Sequence, residues 1–104
     1  MKIYISGKIS GMEQEAQELF GTAERELQAQ GFDTVNPMKL KHDHDKAWSD
    51  YMREDIKALC ECDGIYMLNN WSDSKGARLE RKVAVRIGMR LMYQEGDRNK
   101  SVAD

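Results

Sequence analysis

The sequence predicts one α/β domain built on a doubly wound parallel sheet of about four strands, ordered 2-1-3-4, with three main helices. Three observations lead there. Strand-like and helix-like segments alternate as βαβαβαβ, a pattern that implies a parallel sheet with right-handed crossovers. Glycines and one proline fall at the boundaries between those segments. The chain has 104 residues, which fits a single domain with a real though not generous core.

Taken in order, Lys2–Ser6 alternates around Ile3 and Ile5, with Tyr4 between them, and reads as a strand. Gly7 and Gly11 bracket Lys8-Ile9-Ser10 in a short turn. A helix is predicted over residues 12–30, because Ala16, Leu19, Phe20, Ala23 and Leu27 recur on one helical face. Gly31 suits the position just past its end. Residues 32–36 form a short strand stopped by Pro37, and residues 38–46 a polar loop. Trp48, Met52, Ile56 and Leu59 give a second helix, residues 47–60, its apolar stripe, with Tyr51 and Ala58 at one margin. Residues 63–69 are a third strand. A third helix covers residues 74–87, ended by Gly88. Residues 89–94 read as a last strand, so the domain spans 1–94 and a polar tail 95–104. This is a flavodoxin- or Rossmann-like arrangement. In the order 2-1-3-4 the ends of the first and third strands share a crevice, the usual place for a ligand in open α/β sheets.

Composition narrows the function classes. Lys and Arg total 16 against 18 Asp and Glu, so nothing global favours nucleic acid or an anionic membrane. No apolar run approaches the ~20 residues of a membrane helix. The chain starts directly as strand with no apolar leader, and Cys60 and Cys62 form neither a disulfide framework nor a four-ligand zinc site. A reducing, cytoplasmic setting is expected.

Two acids stand where amphipathic helices should not have them. At about 100° per residue, with Leu79 at zero, Val83, Gly76 and Ile87 fall on an arc to about 80°, and Glu80 sits at about 100°, within the small and apolar side. In the second helix Asp55 lies about 20° from Trp48, inside the stripe. An ionisable group on a core face is costly unless paired, hydrogen-bonded or facing a cavity. Two readings fit. Each acid caps a loop or pairs with a core Tyr or Lys, or the two face one crevice as a nucleophile and a proton donor or substrate anchor. Gly76, one turn before Glu80, leaves room for a ligand beside it.

Other candidates are weaker alone. Gly7-Lys8-Ile9-Ser10-Gly11 could cradle a phosphate through backbone N–H groups, yet it is neither a Walker A nor a GxGxxG motif. Trp71, just before Ser74, is a loop anchor or a stacking wall for a ring. His42-Asp43-His44-Asp45 has metal-binding residue types, but adjacent polar residues in a loop are more often solvated, so no metal is assigned. The cations between Lys75 and Arg90 read as a solvated face, with Val85 among them hinting at a contact surface.

Met1-Lys-Ile-Tyr-Ile-Ser-Gly7, Val35-Asn-Pro37, Trp48…Tyr51-Met-Arg-Glu-Asp55-Ile, Cys62-Asp-Gly-Ile-Tyr-Met-Leu68 and Trp71…Ser74-Lys-Gly-Ala-Arg-Leu-Glu80 together resemble the DUF4406 family. That family looks like a branch of the nucleoside 2-deoxyribosyltransferase superfamily, which includes deoxynucleoside 5′-monophosphate N-glycosidases. The resemblance implies that Ser74, Gly76 and Glu80 keep the enzymes' spacing, with Glu80 attacking C1′. It implies that Asp55 is the helix-borne acid near the substrate and that Tyr4 positions the nucleophile. Gly7–Gly11 is similar to the loop that binds a 5′-phosphate, which would make Lys8, Ile9 and Ser10 phosphate and base contacts. Arg78 replaces a usual glycine, and Lys8 and Ser10 stand where the glycosidase loop has Ser and Arg. The implied activity acts on a small-molecule nucleoside or nucleotide, needs no metal or redox cofactor, and uses a homodimer or larger homo-oligomer. Nucleic acid is not an expected partner. The alternative is a non-catalytic nucleotide-binding or protein-interaction module on the same fold.

Overall fold

The computed structural model describes residues 1–40 and 47–95. The His42–Asp45 motif and the tail beyond Glu95 lie outside the described residues.

Four short strands, β1 (Lys2–Ser6), β2 (Asp33–Val35), β3 (Gly64–Met67) and β4 (Arg90–Tyr93), pair in parallel in the order β2-β1-β3-β4. Between them run α1 (Glu13–Ala29), α2 (Trp48–Cys60) and α3 (Lys75–Arg86). β1 is central, pairing Tyr4 with Val35 on one side and with Ile65 on the other. Covered on both faces, it buries Ile3, Tyr4, Ile5 and Ser6 completely.

Strand alternation sorts those residues between two cores. Ile3 and Ile5 pack with Ala16, Phe20, Ala23 and Leu27 of α1. Tyr4 faces the other way, with Ile65, Met67 and the α2 and α3 residues Leu59, Ala77 and Ala84. Gly31, at φ 93, lets the chain turn out of α1 toward β2, and its N–H donates to Gln28 O. Gly7, right after β1, is needed for a different reason. A Cβ there would lie 2.7 Å from Leu68 Cδ1 and 2.9 Å from Leu68 Cβ.

The strand order and the number of helices follow the sequence expectation. Three apolar positions do not. Leu19 is 38% exposed, because the buried arc of α1 is rotated toward Glu24, which is itself buried. Relative to Phe20, Glu24 lies about 40° to one side and Leu19 about 100° to the other. Trp48 is 42% exposed, since it is the first residue of α2. Ile87 is 56% exposed in the turn that ends α3. Two single 3₁₀ turns, Pro37–Lys39 and Trp71–Asp73, occupy stretches that the sequence marks only as loop. Glu24 holds the first of them. Its carboxylate accepts from Thr34 Oγ1 at 3.2 Å and pairs with Lys39 Nζ at 2.7 Å.

Candidate active site

The site is built where β1 ends and α3 begins. Ser74 caps α3, its hydroxyl accepting from Ala77 N–H at 3.1 Å. That fixes the first turn of the helix and points Glu80 back at the sheet. Glu80 is 5% exposed. Both of its oxygens are held from β1. Tyr4 Oη donates to Oε2 at 2.7 Å, and Ser6 Oγ donates to Oε1 at 2.7 Å. Tyr4 and Ser6 are two apart on a strand and so share a face.

Burial is the largest influence on this carboxyl and pushes it up. The hydrogen bonds from Tyr4 and Ser6 pull it down, and the Asp55 charge raises it again, leaving a pKa of about 7 against an ordinary 4.5. Burial and the neighbouring charges of Glu80 and Asp55 hold the Tyr4 phenol well above its ordinary 10.0, so it remains a donor.

Over Glu80 opens a cleft of ≈ 470 Å³. Gly76, Ala77 and Glu80 of α3 line one side with Ser74. Gly7, Ile9 and Ser10 from the loop after β1 line another, with Glu13 at the head of α1. Pro37, Met38 and Leu40 close the third, and Trp48, Tyr51, Met52 and Asp55 of α2 the fourth. A Cβ at Gly76 would meet Met52 Sδ at 3.2 Å, so the missing side chain keeps α2 and α3 close and the space beside Glu80 clear. Among the described residues that line it, the cleft carries three carboxylates and no Lys or Arg.

The structure therefore brings Gly7, Ile9, Ser10, Asp55, Ser74, Gly76 and Glu80 to one cleft, with Tyr4 directly behind Glu80. Three candidates sit elsewhere. Lys8 does not line the cleft; its N–H donates to Asn70 Oδ1 at 2.9 Å and ties the loop to the end of β3. Gly11 is exposed at φ 82. Trp71 is buried beneath α3, with its ring centroid 6.4 Å from that of Tyr93 and the Arg81 guanidinium 5.0 Å from its ring. The aromatic walls of the cleft are Trp48 and Tyr51 instead. Arg78 turns away from Glu80 and donates to Ser72 O at 2.7 Å.

Sequence reasoning missed Ser6, Glu13 and the Pro37–Leu40 wall. The signal for Ser6 was present, because strand alternation places it beside Tyr4. Among the described residues, no group of three or more His, Cys, Asp or Glu is arranged to hold a metal ion, and no helix is long and apolar enough to cross a membrane.

The family described as Domain of unknown function (DUF4406) matches residues 1–93. The chain belongs to the DUF4406 family. Among solved structures, this DUF4406 protein is similar to a 2-deoxyribosyltransferase from Bacillus psychrosaccharolyticus, with a TM-score of 0.70 at 19% identity over 89% of this chain and 71% of that one. It is also similar to a 2-desoxiribosyltransferase from Leishmania mexicana, with a TM-score of 0.68 at 14% identity over 88% of this chain and 62% of that one. The chain thus spans less than two thirds of the Leishmania protein. At these identities the likeness is one of fold. No curated protein matches the DUF4406 chain in sequence.

Proposed function

We propose that this DUF4406 protein breaks or exchanges the N-glycosidic bond of a nucleoside or its 5′-monophosphate, with Glu80 as nucleophile. The observation that carries this reading is the placement of Glu80: buried, held at both oxygens by Tyr4 and Ser6, and facing an open cleft. A carboxylate so fixed loses little freedom on reaching a transition state. The step is a double displacement. A Glu80 oxygen bonds to C1′ while the C1′–N bond breaks through an oxocarbenium-like state. The bonding pair leaves on the base nitrogen, which takes a proton from the Asp55 carboxyl, and Asp55 takes one back from the water or second base that attacks next. Water then attacks C1′ and frees Glu80, or a second base does so and the result is transfer. Ser10, Ile9 and the aromatic walls would hold sugar and base. A homodimer, implied by the family resemblance, is part of the same proposal.

The test is chromatography of reactions containing each deoxynucleoside and each 5′-monophosphate, with and without a second base. Free or exchanged base is expected, and Glu80→Ala should abolish it while the circular dichroism stays native. Folded protein that releases and exchanges nothing from the whole set would sink the reading.

A second reading has its own observation. Glu80, with a pKa of about 7, is partly protonated at neutral pH and can donate to a ligand. A binding module of this kind would show nucleoside-dependent thermal shifts that grow below pH 7, with no turnover.

A further inference from the structure

Charge is not spread evenly over this molecule. Two grooves of ≈ 460 and ≈ 610 Å³ run along the outer side of α2 and α3 and meet at Trp48 and Leu79. Six exposed cations line them: Arg53, Lys57, Lys75, Arg78, Lys82 and Arg86. Among the described residues, no carboxylate lines them. Of the six, Arg53 pairs with Asp50 at 3.3 Å and Arg78 donates to Ser72 O. The only acid of α3 is Glu80, buried on the opposite side of the helix. The chain as a whole has a formal charge of −2, and α1, across the sheet, exposes Glu13, Glu15, Glu18 and Glu26.

Between the cations the face is apolar and partly aromatic. Trp48 is 42% exposed and Val85 43%. Lys75 Nζ lies 4.2 Å from the centroid of the Trp48 ring, covering a flat surface that would otherwise face solvent. From Lys75 to Arg86 the helix rises about 16 Å, enough for a few phosphates of an extended strand.

We propose that this outer face of α2 and α3 binds single-stranded nucleic acid, its phosphates on the lysines and arginines and a base stacked on Trp48. Cations in a groove beside an accessible aromatic ring are the combination that single strands use, because every base has a face to stack and every nucleotide a charge to neutralise. A base that displaces Lys75 from Trp48 also frees that ammonium for a phosphate. A second copy of this chain fits the face poorly, since pairing it with itself sets cation against cation. The face shares Trp48 with the rim of the cleft, but its cations lie outside the cleft and it does not depend on the reaction assigned to Glu80.

Fluorescence anisotropy of a labelled 20-mer of deoxythymidine tests the proposal. Binding should weaken as salt rises, with a log–log slope of about −0.7 for each phosphate contacted. Lys82→Glu with Arg86→Glu should weaken it at least tenfold and flatten the slope. Should that pair disturb the circular dichroism, Lys82→Gln with Arg86→Gln should show a smaller loss in the same direction. Tryptophan emission should be quenched on binding in the wild type and not in Trp48→Leu. No binding at 20 mM salt would overturn the proposal, as would affinity indifferent to Lys82 and Arg86. Equal affinity for a duplex, for polyglutamate or for anionic vesicles would overturn it too, by assigning the face to another partner. Binding is read without turnover, so failure here and failure of base release are separate results.

Discussion

At the scale of single residues, the proposed chemistry rests on one proton. If Glu80 attacks as the carboxylate, base release should climb about tenfold per pH unit below about 7 and level off above it, which a kcat/KM profile from pH 5 to 9 would show. Stability should move the other way. Folding raises the carboxyl from 4.5 to about 7, so the folded state holds the proton across that window. Stability from this group is complete below pH 4.5 and declines as pH rises through about 7. At about 1.4 kcal/mol per pH unit the decline is about 3 kcal/mol. Glu80→Gln removes this titration, so urea unfolding at pH 5 and pH 8 should show the variant losing about that much less than the wild type. Tyr4→Phe deletes one of the two donors. It should lower kcat roughly tenfold with little change in KM and move the acid limb of the profile upward, a displacement that a purely structural role would not produce. Glu80 was legible in the sequence because an acid inside an apolar arc has few innocent explanations. Ser6 was marked only by sharing a strand face with Tyr4, and a serine in a strand has many innocent explanations. Lys8 and Trp71 show the converse: a residue type suited to a ligand says nothing about which way its side chain turns.

Among elements, the junctions carry the function. The loop after β1 can lie flat against β3 only because Gly7 has no Cβ. Gly7→Ala should cost about 1–3 kcal/mol in urea unfolding, since Leu68 is fully packed and cannot retreat cheaply. On the far wall, Glu24 anchors the Pro37–Lys39 turn that supplies Pro37 and Met38 to the cleft. Burial pushes its carboxyl up, but hydrogen bonds from Lys39 and Asn36 and the Lys39 charge outweigh burial and leave the pKa below 4.5. Its contribution is therefore present above the ordinary pKa and lost as pH falls through the lower folded value. Glu24→Ala should destabilise the fold by about 2 kcal/mol at pH 7 and raise KM through the loosened wall. Strands and long helices were readable because periods of 2 and 3.6 repeat within them. The two 3₁₀ turns were not, because three residues hold no period. Trp48 was placed in the core because a helical wheel has no ends, whereas a real helix can begin beyond the sheet that covers it.

For the molecule as a whole, βα alternation predicts a parallel sheet with right-handed crossovers, while the order 2-1-3-4 was one choice among those the crossovers allow, and the sheet has it. The division of charge between the two helical layers could not be read from the sequence. A net count of −2 conceals a cationic side and an acidic side, and only packing reveals which lysines and arginines share a surface. Both cores lean on β1, one through Ile3 and Ile5 and the other through Tyr4. That strand also presents both donors to Glu80. A chain so joined has no layer that can melt while the other persists, and no route to loosen the support of Glu80 without opening both cores. Heat inactivation and heat unfolding should therefore trace a single curve. A mutation that lowers the melting temperature should shorten the working range of the proposed activity by the same number of degrees, and no folded but idle intermediate should be trapped between them.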